Sequence, residues 1–370
     1  MSRVCPQSPA LRRAVFATAL AGAASLLAGC SDSTASDALT DPTAGAACSI
    51  PTSRIFNGGP GRDGIPALSL PEVVPAGTAS FFRDEDRVLG LELNGAARAY
   101  PLLVLWWHEI VNDTLGGEPV LVSYCPLTGS GIAFDPVLGG ETRNFGVSGL
   151  LFENNLIMFD RQTESLWNQL LLGAQCGPDR GTALERLPLV ETTWGQWRSL
   201  HPNTTVVDTS TGFDRSYGAY PYGNYDQPDN PVTLFPSSTW SDARPPKELV
   251  LGIHEGDFAV AYPFGVLAGI GAAVALNDSI AGRPILVTYL DGTRTARAFD
   301  RTLGDTVLTF QLFGSGPRLR DAETGSTWDA LGKAVAGPLA GRRLAPLVDA
   351  YTLFWFAWSV YYPDSRLFGQ

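Results

Sequence analysis

Adjacent His108 and Glu109, followed by Cys125, are the side chains best suited to chemistry in a chain with only three histidines and five cysteines. Cys125 closes the apolar run Val120-Leu-Val-Ser-Tyr124 and enters Pro126-Leu-Thr-Gly-Ser130. At a strand end followed by a turn, a thiol can meet unpaired backbone N–H groups, which favour the thiolate. In that reading Cys125 is a nucleophile, His108 takes its proton or pairs with it as imidazolium, and Glu109 fixes the ring. Ser148 is a further candidate. His108 and Cys125 would also suit a soft metal, copper or zinc, although paired Cys-x-x-Cys spacing is missing. The simplest alternative makes Cys125 a small core residue, since unpaired cysteine is among the most buried types.

The chain also repeats itself, and the repeat gives these candidates a control. Asn112, Tyr124 and Asp135 are followed at a constant offset of 165 by Asn277, Tyr289 and Asp300. Ala99-Tyr-Pro101 has a counterpart in Ala261-Tyr-Pro263, and Asp160, Thr163 and Trp167 have theirs in Asp321, Thr324 and Trp328. Residues kept in both copies serve the fold. Asn112 and Asp113 are therefore read as turn formers bonding nearby backbone. In the second copy His108-Glu109 becomes Ala273-Val274, Cys125 becomes Leu290, and Ser148-Gly149 is matched to Thr309-Phe310. The reactive set belongs to the first copy alone.

Short β-rich runs must position that set. Asn94-Gly95 between alternating segments predicts a hairpin. Runs at Pro119–Tyr124, Gly131–Phe134, Asn144–Leu151 and Leu156–Phe159 predict strands, and Thr192–Leu200 and Tyr351–Val360 predict helices. The expected class is α+β, mostly antiparallel β with a few helices, in two tandem pseudo-repeats at 54–212 and 249–370. An irregular connector rich in Tyr, Pro, Asn and Asp is expected over 213–248.

The first residues carry an address. Arg12-Arg13, an apolar run to Leu27 and then Leu27-Ala-Gly-Cys30 resemble a lipoprotein signal over 1–29, with Cys30 acylated and a flexible tether over 30–53. Expected is export to the cell envelope and attachment to a membrane through the lipid. Tyr351–Pro363 is too short to span and reads as buried. Without residues 1–29, which hold three arginines and no acid, the formal net charge moves from −11 to −14. A surface that acidic argues against nucleic-acid binding. In an oxidising compartment Cys48, Cys125 and Cys176 leave one thiol over, and the simplest pairing joins Cys48 to Cys176.

Several motifs then resemble one family. DGIPAL from Asp63, HEIVND from His108, SYCPL from Ser123, FGVSG from Phe145, FDRQTESLW from Phe159, PYGNY from Pro221 and RPPKELVLGI from Arg244 are similar to those of DUF3179 proteins, with the likeness covering roughly residues 54 to 367. The resemblance implies thiol or selenol redox work at a Cys-Pro-Leu-Cys motif. Here Thr128 stands at the second cysteine position, which removes a resolving thiol. What it leaves is either a one-thiol mechanism, with Cys125 forming a sulfenic acid or mixed disulfide that an external thiol resolves, or a site whose activity has been lost. A ligand-binding or scaffold lipoprotein, with a groove between the copies, is the reading that requires no reactive thiol.

Overall fold

The computed structural model describes residues 47–370 except Ser315. The signal segment, Cys30 and most of the tether lie outside the described residues. Cys48 and Ser49 already pair with Cys176 and Gln175, so the ordered body starts ahead of Arg54, where the tether was expected to end. No helix among the described residues is long and apolar enough to cross a membrane.

The architecture is α+β: mainly antiparallel sheets with, among the described residues, four α-helices of seven residues each, α1 Leu102–His108, α2 Trp194–Leu200, α3 Phe264–Ile270 and α4 Trp355–Tyr361. The predicted hairpin forms between Arg87–Leu93 and Ala96–Pro101, where Asn94 and Gly95 both take positive φ, as a two-residue turn matched to strand twist requires. Leu189–Thr193 joins its outer edge and Thr205–Val207 runs parallel to the second strand. After α1 come the antiparallel strands Ile110–Leu115, Glu118–Cys125 and Ser130–Asp135, with Leu68–Ser69 added in parallel at one edge. A third sheet orders Ile55–Asn57, Phe145–Phe152, Asn155–Asp160, Leu166–Asn168 and Gly173–Cys176.

The same order of hairpin, seven-residue helix and three antiparallel strands occupies 249–300. Matching side chains make matching bonds. Tyr100 donates to Asp113 at 2.9 Å and Tyr262 to Asp278 at 2.7 Å; Trp167 donates to Asp160 at 2.9 Å and Trp328 to Asp321 at 2.8 Å. Asn112 and Asp113 are not turn formers. They lie within the strand Ile110–Leu115, and Asn112 clamps another strand by donating to Phe145 O at 2.8 Å and accepting from Phe145 N at 2.7 Å. Asn277 grips Phe310 in the same way. Phe310 thus stands in the place of Phe145, not of Gly149, because the hairpin that follows is shorter in the second half.

Two helices begin later than expected. Leu189–Thr193 and Ala350–Phe354 are strands that lead into α2 and α4. Three residues of the first strand and four of the second are buried, which hides the period-2 signal. The largest core mixes both halves, with Leu121, Cys125 and Leu127 packing in the same cluster as Val250, Leu353 and Trp358. A second core gathers α1 with Val88, Val122, Tyr124 and Trp197. The connector has no helix or strand from 208 to 248.

Candidate functional site

Alternation along Glu118–Cys125 decides which way each side chain faces. Val120, Val122 and Tyr124 enter the core beside α1, whereas Leu121 and Cys125 enter the large core. The thiol is 1 % exposed. Its Sγ donates to Asn154 O at 3.5 Å. Burial is the main influence on its acidity and raises its pKa to about 11, with the Glu109 carboxyl adding to the rise and hydrogen bonds from Thr128 and the Leu156 backbone opposing it. At neutral pH this thiol keeps its proton.

Helix α1 ends at His108, and Glu109 closes it with φ 56°, donating its N–H to Leu105 O at 2.8 Å. This is the left-handed region that helix ends normally give to glycine, so a glutamate there is held at some conformational expense. The backbone reversal sends the two adjacent side chains apart. The His108 ring pairs through Nδ1 with Pro66 O and through Nε2 with the Tyr217 hydroxyl, each at 2.7 Å, and it is fully buried. Burial lowers its pKa. Both nitrogens are therefore engaged on the α1 side, and the expected imidazole–thiol pair is not formed. Nor do His108 and Cys125 converge as metal ligands; among the described residues no group of three or more His, Cys, Asp or Glu does so.

Glu109 is the titratable neighbour that Cys125 does have. Its carboxyl has no hydrogen-bond partner among the described residues, and burial alone raises its pKa to about 8. It faces a cavity of about 270 Å³ whose walls include Ile65, Leu127, Val147, Leu156, Tyr222 and Phe235. Ser148 is not free for chemistry: its hydroxyl donates to Ile157 O and accepts from Leu150 N at 3.0 Å, bracing a bulge between Val147 and Leu150. Thr128 joins a buried polar network, within 2.8 Å of Ser130 and accepting from Asn155 at 3.0 Å.

The connector covers this site. Asn154 holds Phe235 through two hydrogen bonds of 3.0 Å, the Glu153 carboxylate accepts from Ser237 and from Ser238 N, and the Tyr225 hydroxyl donates to Leu127 O at 2.8 Å. Lys247, whose pKa burial lowers to about 8, donates to Val232 O at 2.7 Å and lies 4.1 Å from the Tyr225 ring centre. The sequence marked this segment as irregular but gave no sign that it roofs a cavity.

The family model DUF3179, protein of unknown function, matches residues 62–365, a stretch that holds every residue of the cavity wall named above. The chain belongs to the DUF3179 family. No curated protein and no solved structure matches it. The DUF3179 motifs place Glu109 at the cavity wall and Cys125 behind it, and Cys48 and Cys176 form a disulfide at the edge of the sheet containing Phe145–Phe152.

Proposed function

We propose that this DUF3179 protein is a cell-envelope lipoprotein that binds a small, mainly apolar molecule in the Glu109 cavity. One observation carries the reading: a buried, unpaired carboxyl with its pKa raised to about 8 stands in an otherwise largely apolar wall. Below that pH it is a neutral acid, able to donate one hydrogen bond to a carbonyl or ether oxygen of a guest, which is the kind of single placed polar group that orients ligands in apolar pockets. The strained backbone that presents it is in keeping with a functional role. Single-thiol redox work at Cys125 is the weaker reading, because the thiol is sealed and protonated.

Export and lipid attachment at Cys30 rest on the Leu27-Ala-Gly-Cys30 signal, and the Cys48–Cys176 disulfide suits an oxidising compartment. Tandem duplication is supported by the matched Tyr–Asp, Asn–backbone and Trp–Asp bonds of the two halves. On that reading the second half is framework: Val274 pairs with Tyr289 where Glu109 O accepts from Tyr124 N, and Leu290 takes the place of Cys125.

Acetophenone and isopropylbenzene, nearly equal in shape, test the reading. At pH 6 acetophenone should bind roughly tenfold more tightly, the worth of one good hydrogen bond. The preference should fade as pH passes about 8 and vanish in Glu109→Leu. Equal binding of the two probes at pH 6, or a preference that survives Glu109→Leu, would end it.

A further inference from the structure

A second cavity, of about 200 Å³, opens between the two halves, with Glu92, Val190, Trp197 and His201 on one side and Arg297 and Arg343 on the other. We propose that it binds a small carboxylate with an apolar body, gripped by the Arg297 guanidinium.

The Arg297 side chain makes no hydrogen bond and no salt bridge among the described residues; its guanidinium lies 5.2 Å from the Phe299 ring centre, which leaves the N–H fork without an acceptor. The nearest acids are occupied elsewhere. Glu92 accepts from Arg343 at 3.3 Å and lies 4.0 Å from His201 Nδ1; Asp329 accepts from Leu331 N and Lys333 N, each at 2.9 Å. Burial lowers the Arg297 pKa to about 10. A half-buried guanidinium whose N–H groups have no acceptor among the described residues gains two hydrogen bonds when a carboxylate enters the cavity beside it. The fold does not ask for this charge: Arg297 pairs with Thr288 across its hairpin, and in the Glu118–Cys125 hairpin the residue opposite Ser123 is the buried Ile132.

The planar fork of arginine matches a carboxylate through two parallel bonds. Glu92 is bonded to Arg343, so only Arg297 offers a positive charge not bonded to an acid, and with Glu92 lining the same cavity a singly charged carboxylate is favoured over the higher charge of phosphate. The guest's body would lie against Val190, Trp197 and Leu331, which also line an apolar seam running on between the halves. This site is separate from the Glu109 cavity, with which it shares no lining residue.

Equilibrium dialysis of the full-length chain in detergent with benzoate, benzyl alcohol and inorganic phosphate decides the matter. Benzoate should bind at least about tenfold more tightly than benzyl alcohol or phosphate. Arg297→Gln, with an unchanged melting temperature, should lose that preference, and Glu109→Leu should keep it. Glu92→Gln, at the more exposed rim, should bind benzoate several-fold more tightly because a competing negative charge is gone. Equal binding of benzoate and benzyl alcohol, phosphate binding as tightly as benzoate, or undiminished benzoate binding in Arg297→Gln overturns the proposal. If Arg297→Gln does not fold, Glu92→Gln decides alone, and benzoate affinity that stays level or falls there also overturns it.

Discussion

The Glu109 carboxyl raises the proton affinity of the Cys125 thiol, and the His108 imidazole, turned toward Pro66 and Tyr217, does not counter it. Native Cys125 should therefore react with iodoacetamide near pH 7 far more slowly than a model thiol. Because Glu109 is ionised before the thiol titrates, Glu109→Gln should move the alkylation profile to lower pH, while burial keeps it above the ordinary thiol range. A wild-type profile with a midpoint below that range would contradict the placement of these two groups.

Burial of Glu109 also ties stability to pH. Its folded pKa is raised to about 8 from 4.5, so the native state holds a proton that the unfolded chain has already released. The stability associated with this group is fully present below about pH 4.5 and is lost as pH rises through about 8, at up to about 1.4 kcal/mol per pH unit between the two. Urea denaturation at successive pH values should show that decline in the wild type and a flatter profile in Glu109→Gln. Parallel profiles would mean that the carboxyl is not desolvated.

His108→Ala tests the other half of the motif. It leaves the Pro66 carbonyl and the Tyr217 hydroxyl without their 2.7 Å partners, so a loss of about 1–3 kcal/mol is expected. Thiol alkylation of the folded protein should stay as slow as before. A faster or slower Cys125 in this variant, measured under conditions where the fold persists, would place the imidazole beside the sulfur after all.

Much of this arrangement was legible in the residues and part was not, for local reasons. Asn94-Gly95 announces its hairpin because few other pairs accept two positive φ values, and Tyr100, Asn112 and Trp167 find counterparts that make the same bonds. Tyr351–Phe354 misleads because a strand buried on both faces shows no alternation. The site misleads for a different reason. Consecutive residues in a strand or helix have predictable directions, but Glu109, directly after the helix end at His108, itself takes a positive φ without being glycine, and nothing in the residue types signals that reversal.

Removing the Cys48–Cys176 link by replacing both residues with alanine should lower stability by about 2–5 kcal/mol. It frees the stretch around Cys48 from the strand Gly173–Cys176, to which Ser49 otherwise donates at 2.7 Å to Gln175 O. A denaturant midpoint that does not move, or that moves no further when reductant is added to the wild type, would show that the bridge contributes little to the fold.

Two glycines offer a test of the packing that the halves share. A methyl group added at Gly90 would come within 2.3 Å of Trp197 Cε3, and one added at Gly252 within 2.2 Å of Trp358 Cζ3. Both indoles are buried and anchored at the far end, Trp197 to Thr204 at 2.9 Å and Trp358 to Ser365 at 2.8 Å, so neither can retreat without breaking a hydrogen bond. Gly90→Ala and Gly252→Ala should each destabilise by about 1–3 kcal/mol or more. The clash is with the ring alone, so in Trp197→Leu the added cost of Gly90→Ala should largely disappear, a coupling that a double-mutant cycle measures directly. Additive effects of the two substitutions would mean that the penalty arises from the strand backbone and not from the indole.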